Sequence, residues 1–201
     1  MRVAARAFCL RSACRSCRRS SSSSTTSIGT TSRTGLAIYA TLAAAQLGLT
    51  VTPERLGELI AVGREIKWAL NDTTHAVHPA DPRLNGIYGT IWFDELGDTA
   101  RLVHQRNVTI FADGEADRSP CGSGTCARLA VLAADGRLPA GTALRHDSIV
   151  GSTFTATVLG TIDAGGRPAV IPQVTGTAYR TGEHLFSIDP HDPLVPGFVL
   201  R

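Results

Sequence analysis

Asp117-Arg-Ser-Pro-Cys-Gly-Ser-Gly-Thr-Cys-Ala-Arg-Leu-Ala-Val-Leu-Ala-Ala-Asp-Gly136 sets the architecture of this 201-residue chain. From Ala127 to Ala134 strong helix formers carry a single charge, Arg128, and Gly136 is placed to close the helix in a left-handed conformation. A helix that is apolar nearly all round is buried nearly all round. The material to surround it lies downstream. Residues 148–159 (SIVGSTFTATVL), 169–174, 177–180 and 185–188 are β-rich runs punctuated by Gly151, Gly160, Gly165, Gly166, Gly176 and Gly182. Together these halves predict an α/β chain of the α+β kind, a curled, mostly antiparallel sheet around a central buried helix.

The start of that helix carries the chemistry. Cys121-Gly122-Ser123-Gly124 puts a thiol and two glycines where the first helical N–H groups have no intrahelical partner, and those donors with the helix dipole make an anion site. The glycines let a carboxylate approach the backbone, and a helix start is a setting in which cysteine sulfur gains thiolate character. Asp117, four residues upstream, can accept from a cationic amine. A carboxylate cradle, an amine acceptor and a proton-transferring sulfur describe an α-amino-acid site with a base aimed at the α-carbon. The same letters also fit an ordinary glycine loop in which Cys121 is a small buried hydrophobe.

Upstream, the Ala/Leu-rich stretch 36–49 reads as a buried helix. Thr52-Pro53-Glu54 supplies an N-cap, a proline at the first helical position and an early acid. Leu56, Leu59, Ile60, Gly63, Ile66 and Leu70 then mark one face of a helix ending near Asn71. Residues 87–93 and 108–111 are short strands, and Asp113-Gly114 is a turn.

Composition limits the function classes. With 20 basic against 17 acidic residues there is no general nucleic-acid footprint, and no apolar run approaches the roughly 20 residues of a membrane-spanning helix. Seven arginines and no acid precede Glu54, so the excess positive charge sits in the leader, residues 1–34. That leader also holds three of the five cysteines and a serine run at 20–24, and lacks any period worth scoring. It reads as a disordered segment, either a transit peptide or the product of a misassigned start. Ordered protein is expected over residues 35–201. The odd cysteine count points to a reducing compartment, and the cytoplasm is the expected location.

Asp-Arg-Ser-Pro-Cys-Gly-Ser-Gly-Thr, residues 117–125, resembles the second catalytic motif of the proline racemase family, which includes 4-hydroxyproline epimerases and trans-3-hydroxyproline dehydratases. The resemblance runs through Leu36-Ala-Ile-Tyr-Ala40, His78-Pro79, residues 107–111, Ile149-Val-Gly-Ser-Thr-Phe154, Ile171-Pro-Gln-Val-Thr-Gly176 and Asp189-Pro-His-Asp-Pro-Leu-Val-Pro-Gly-Phe198. It implies a fold similar to diaminopimelate epimerase, two lobes with the substrate between them, and cofactor-free racemisation of proline or hydroxyproline by two cysteines on opposite faces of the α-carbon. Carried over, Cys121 is one acid/base, Asp117 meets the amine, the Gly122 and Ser123 amides meet the carboxylate, and Phe111 walls the ring pocket. Family dehydratases generally carry threonine where Cys121 stands, which favours racemase or epimerase activity over the alternative of trans-3-hydroxy-L-proline dehydration.

The family's first lobe holds the partner cysteine in a Met-Cys-Gly-His type motif, and this chain has none: Cys9, Cys14 and Cys17 are followed by Leu, Arg and Arg. The chain therefore reads as a fragment, a second lobe whose enzyme activity is uncertain, with a non-catalytic lobe as the other class. Its expected partners are a small-molecule substrate and, through an exposed cleft face, a missing first lobe or a second copy of itself. No metal or other cofactor is expected, because His75, His78 and His104 share no ligand spacing with Asp72, Asp81 and Asp94. Cys126 is expected to pack in the core, His191 to sit in a capping turn, and Arg128 to lie at the surface or pair with Asp135 or Asp117.

Overall fold

Alternating burial builds this molecule from two apolar layers that share one sheet. The computed structural model describes residues 2–6, 9–11, 30–34, 37–78, 81–164, 166–195 and 197. Cys14, Cys17, the serine run at 20–24, Pro79 and Phe198 lie outside the described residues. In chain order the elements are β1 (Arg2–Arg6), β2 (Cys9–Arg11), β3 (Thr30–Thr34), β4 (Ile38–Ala43), α1 (Leu56–Asn71), β5 (Ile87–Thr99), β6 (Leu102–Phe111), β7 (Glu115–Ala116), α2 (Gly122–Ala134), β8 (Ala143–Ser148), β9 (Thr153–Asp163) and β10 (Pro168–Thr177).

The strands form one sheet in the order β1-β10-β2-β3-β4-β5-β6-β8-β9, and β9 also pairs with β10, so the path closes on itself. Pairing is antiparallel except for β4 with β5 and β6 with β8. Inside the ring, α2 is buried from Gly124 to Leu132, and its Leu129 and Leu132 pack among Tyr39, Ile91, Leu144, Ala156 and Val174. On the outside of β4, β5 and β6, α1 lays Leu59 against Ile38, Leu42, Trp92, Val108 and Ile110. The Trp92 indole donates to the Leu59 carbonyl at 2.9 Å. A strand covered on both faces is continuously apolar, and this corrects the helix expected over 36–49. Ile38, Tyr39 and Thr41 favour a pleated backbone, so the stretch is β4 followed by a short 3₁₀ turn, Ala44–Leu47.

Three other expectations differ. Residues 148–159 are two strands, because Gly151 adopts φ +84° and Val150 is turned to solvent at the β8–β9 corner. Residues 185–188 join no strand, and Leu185 and Phe186 are 98% and 88% exposed. Residues 178–180 join no strand either, because β10 ends at Thr177. β2 and β3 stand between β10 and β4 in the sheet. The central helix, the amphipathic α1 and the mostly antiparallel curled sheet follow the sequence reading. Among the described residues no helix is long and apolar enough to cross a membrane.

Gly89 stands between Tyr39 on β4 and Phe111 on β6 in register. A Cβ there would lie 2.8 Å from the Ile110 carbonyl oxygen, a backbone atom of the neighbouring strand. Gly89→Ala is expected to cost about 1–3 kcal/mol by overpacking, read as a lower urea midpoint. An unchanged midpoint would mean that β5 and β6 separate there without penalty.

Candidate active site

The polar residues near α2 converge on one strained position. After β6 the chain turns at Gly114, pairs briefly as β7, and runs back across the end of β6, where the Asp117 amide donates to the Thr109 carbonyl at 2.9 Å. Cys121 follows as the N-cap of α2 with φ +62° and ψ +117°, a left-handed region that a non-glycine residue occupies only when its surroundings hold it there.

Its surroundings do so from both sides. The Pro120 carbonyl accepts from Asn107 Nδ2 at 2.9 Å and from Thr125 Oγ1 at 3.1 Å. The Cys121 amide donates to Ser119 Oγ at 3.0 Å, and Ser119 Oγ donates to Asp117 Oδ1 at 2.9 Å. The His146 ring, with Nδ1 2.9 Å from Thr125 Oγ1, supports the threonine in turn. Burial, with the Arg128 charge second, pushes the His146 pKa down to about 3, so the ring is neutral and Nδ1–H can donate.

Held this way, Cys121 Sγ accepts from the Gly124 amide at 3.3 Å, and the sulfur itself caps the helix. A Cβ on Gly124 would stand 3.2 Å from Sγ and 3.0 Å from Thr109 Oγ1, so only glycine fits comfortably. The next amides outward, those of Gly122 and Ser123, make no hydrogen bond among the described residues. They are free donors beside the sulfur at the positive end of a 13-residue helix. Asp117 is half-buried and reaches Cys121 through Ser119, with Oδ1 occupied by the Ser119 amide and hydroxyl. The structure thus brings Cys121, Gly122, Ser123 and Asp117 together. Phe111 stands further off, stacked on Tyr88 at 6.2 Å, and Tyr88 meets Tyr39 edge-on at 5.6 Å. A cavity of about 340 Å³ opens beside Phe111 and Tyr88, lined also by Lys67 and Asn85.

Arg128 is not at the surface, and Asp135 acts on its charge from nearby. It is 3% exposed, its guanidinium lies 3.7 Å from the Phe93 ring centroid, and Nε and Nη2 donate to Gln105 Oε1 at 3.3 Å. Gln105 Nε2 passes the contact on to Glu95, which Arg137 holds from outside. Burial in this setting lowers the Arg128 pKa to about 10. Cys126 packs in the core as expected, where burial first and the Cys121 sulfur second raise its thiol to about 11. His191 sits in a turn, its amide donating to Asp189 Oδ1 at 2.9 Å. His104 pairs with Asp147 at 2.7 Å. Among the described residues no group of three or more His, Cys, Asp or Glu could hold a metal ion.

Tyr39, Asn107, Thr125 and His146 are absent from the sequence-based site. The signal for Asn107 was its place with Thr109 at alternate positions of an otherwise apolar strand end, where a polar residue needs a buried partner. Nothing local in the sequence marks His146, 21 residues from the threonine it supports.

The proline racemase family model matches residues 33–199 of the chain. A trans-3-hydroxy-L-proline dehydratase of Colwellia psychrerythraea is 42% identical over 167 residues, 83% of this chain and 46% of that protein. A 4-hydroxyproline 2-epimerase of Allorhizobium ampelinum is 39% identical over 83% of this chain and 47% of its own length. The crystal structure of a hydroxyproline epimerase from Agrobacterium vitis, with bound trans-4-hydroxy-L-proline, superposes with a TM-score of 0.69 at 36% identity, covering 86% of this chain and 48% of that one. The chain spans about half the length of the curated relatives it matches.

Proposed function

The chain belongs to the proline racemase family, and from that premise we propose that residues 35–201 form one lobe of a cofactor-independent proline or hydroxyproline racemase or epimerase. In this reading Cys121 moves the proton at one face of the α-carbon. The observation that carries it is the Cys121 sulfur seated on the Gly124 amide, beside the unpartnered Gly122 and Ser123 amides and one serine away from the Asp117 carboxylate.

The steps follow from those positions. The Gly122 and Ser123 amides and the helix dipole bind the substrate carboxylate, Asp117 accepts from its amine, and the Phe111 ring borders the substrate ring. Cys121 thiolate takes the α-proton and becomes a thiol, leaving the electron pair on the α-carbon, delocalised into the carboxylate. A second acid on the opposite face then returns a proton. Among the described residues one such sulfur stands at the site, and in this reading the second belongs to a complementary lobe that closes over Cys121, in keeping with the half-length coverage of the relatives. The buried thiols Cys121 and Cys126 suit a reducing compartment, and we place the protein in the cytoplasm.

Dehydration of trans-3-hydroxy-L-proline is the second reading, favoured by the 42% identity to the Colwellia dehydratase. Cys121 weighs against it, since a thiol suits return of a proton to carbon, whereas dehydration needs the 3-hydroxyl protonated as it leaves.

The test is α-proton exchange. The chain is incubated in deuterated water with L-proline, trans-4-hydroxy-L-proline and trans-3-hydroxy-L-proline, and deuterium at the α-carbon and loss of the 3-hydroxyl are followed together. Deuterium incorporation with either of the first two supports the epimerase reading, even with configuration retained. Loss of the 3-hydroxyl in its place favours dehydration. Absence of both would assign the chain to the non-catalytic class.

A further inference from the structure

The proposed mechanism leaves the Tyr39 hydroxyl unused. Tyr39 lies on β4 with its ring fully buried, fixed between strands and edge-on to Tyr88. A phenylalanine would fill the same space, so the hydroxyl needs a use, and a buried hydroxyl without one is destabilising. The hydroxyl is spent on the start of α2, where Tyr39 Oη lies 2.6 Å from Ser123 Oγ. Ser123 Oγ lies 3.8 Å from Cys121 Sγ, within reach of a sulfur hydrogen bond.

Burial first, and the neighbouring Cys121 charge second, push the Tyr39 phenol well above its ordinary value, against a smaller lowering by Ser123, so the phenol keeps its proton. The Tyr39 and Ser123 hydroxyls share one short hydrogen bond in which either oxygen can donate. With Tyr39 donating, Ser123 has its own proton free to point at the sulfur.

We propose that Tyr39 is a positioning residue for the proton-transferring sulfur: its phenol orients the Ser123 hydroxyl so that it donates to Cys121 Sγ and holds the thiolate ready for the α-proton. This rests on the reading of Cys121 as an acid/base. It assigns the Ser123 side chain to the sulfur and leaves the Ser123 amide to the substrate carboxylate. The relay also lets the sulfur shed its donor bond when the thiolate takes a proton, with the Ser123 hydroxyl turning and Tyr39 staying in place.

The experiment reads the sulfur directly. Alkylation of Cys121 by iodoacetamide is timed near pH 8 by peptide-resolved mass spectrometry, with free cysteine in the same tube as standard, for the wild-type chain, Tyr39→Phe, Ser123→Ala and the double variant. Because alkylation follows the thiolate fraction, each single variant is expected to slow Cys121 about fivefold. The double variant is expected to be no slower than Ser123→Ala, since residues acting through one another are not additive. Ser123→Thr, which keeps a hydroxyl, is expected to restore the rate. A Tyr39→Phe rate equal to wild type, or losses that multiply in the double variant, overturns the proposal. If Tyr39→Phe does not fold, Ser123→Ala against Ser123→Thr carries the same decision. Failure of the wild-type chain to exchange α-protons would strike the reading of Cys121 as acid/base and leave the alkylation result to judge the relay.

Discussion

Cys121→Ser is expected to reduce α-deuterium incorporation by about 10²–10⁴-fold, the usual contribution of a positioned acid/base, with little change in melting temperature. The two halves of this expectation have different origins. A serine hydroxyl stays protonated near neutral pH and cannot take a proton from carbon. It can, however, accept from the Gly124 amide as the Cys121 sulfur does, and it can accept the same left-handed backbone between Pro120 and Gly122 at the same cost. The variant therefore removes chemistry while keeping the cap. Circular dichroism melting beside the exchange measurement separates the two. Exchange that survives at the wild-type rate would place the base elsewhere than Cys121.

The second large effect is sensitivity to acid. His146 is fully buried, and burial with the nearby Arg128 charge depresses its pKa from 6.5 to about 3, opposed in part by Asp147. The unfolded chain binds a proton at this histidine below about pH 6.5, while the folded chain refuses it down to about pH 3, so the unfolded state binds more protons across that window. Stability is unaffected by His146 above the window and falls by up to about 1.4 kcal/mol per pH unit on acidification through it. His146→Asn keeps an N–H donor toward Thr125 and removes the titration, and is expected to flatten this part of the stability–pH curve measured by urea unfolding. An equally steep curve in His146→Asn would assign the acid sensitivity to carboxylates such as Asp147 and Glu95, whose pKa values the fold also lowers.

The centre of the molecule was legible and its edges were not, for physical reasons. The composition of α2 announces burial because Ala, Leu and Val with a single charge have no other stable place, and the glycine spacing after Cys121 announces an open helix start. Local composition misled at 36–49, where alanine and leucine suggest a helix but burial on both faces favours a strand. Gly151 was read as punctuation within one β-rich run over 148–159, and its positive φ makes it the corner that separates β8 from β9. The segment 185–188 has a strand-like sequence with no ladder, because pairing depends on a neighbour and the sequence of one segment does not supply one.

In the site, the residues proposed to meet a ligand carry a local spacing, and those that hold them do not. Cys121, Gly122, Ser123 and Asp117 lie within one short stretch. Asn107 on β6 and Thr125 on α2 converge on the Pro120 carbonyl, His146 on β8 backs Thr125, and only the folded sheet brings them together.

One atom, the Cys121 sulfur, is both the proposed acid/base and the cap on the Gly124 amide. Any reagent that bonds to it, whether an oxidant or an electrophilic substrate mimic, makes it a weaker acceptor for the Gly124 amide and loosens the cap on the central helix, whose full loss costs about 0.5–2 kcal/mol. Covalent occupancy of the site is thereby written into the unfolding temperature. A library of electrophiles can be screened by thermal shift alone, before any substrate is known, and a hit will show itself as a protein that melts earlier.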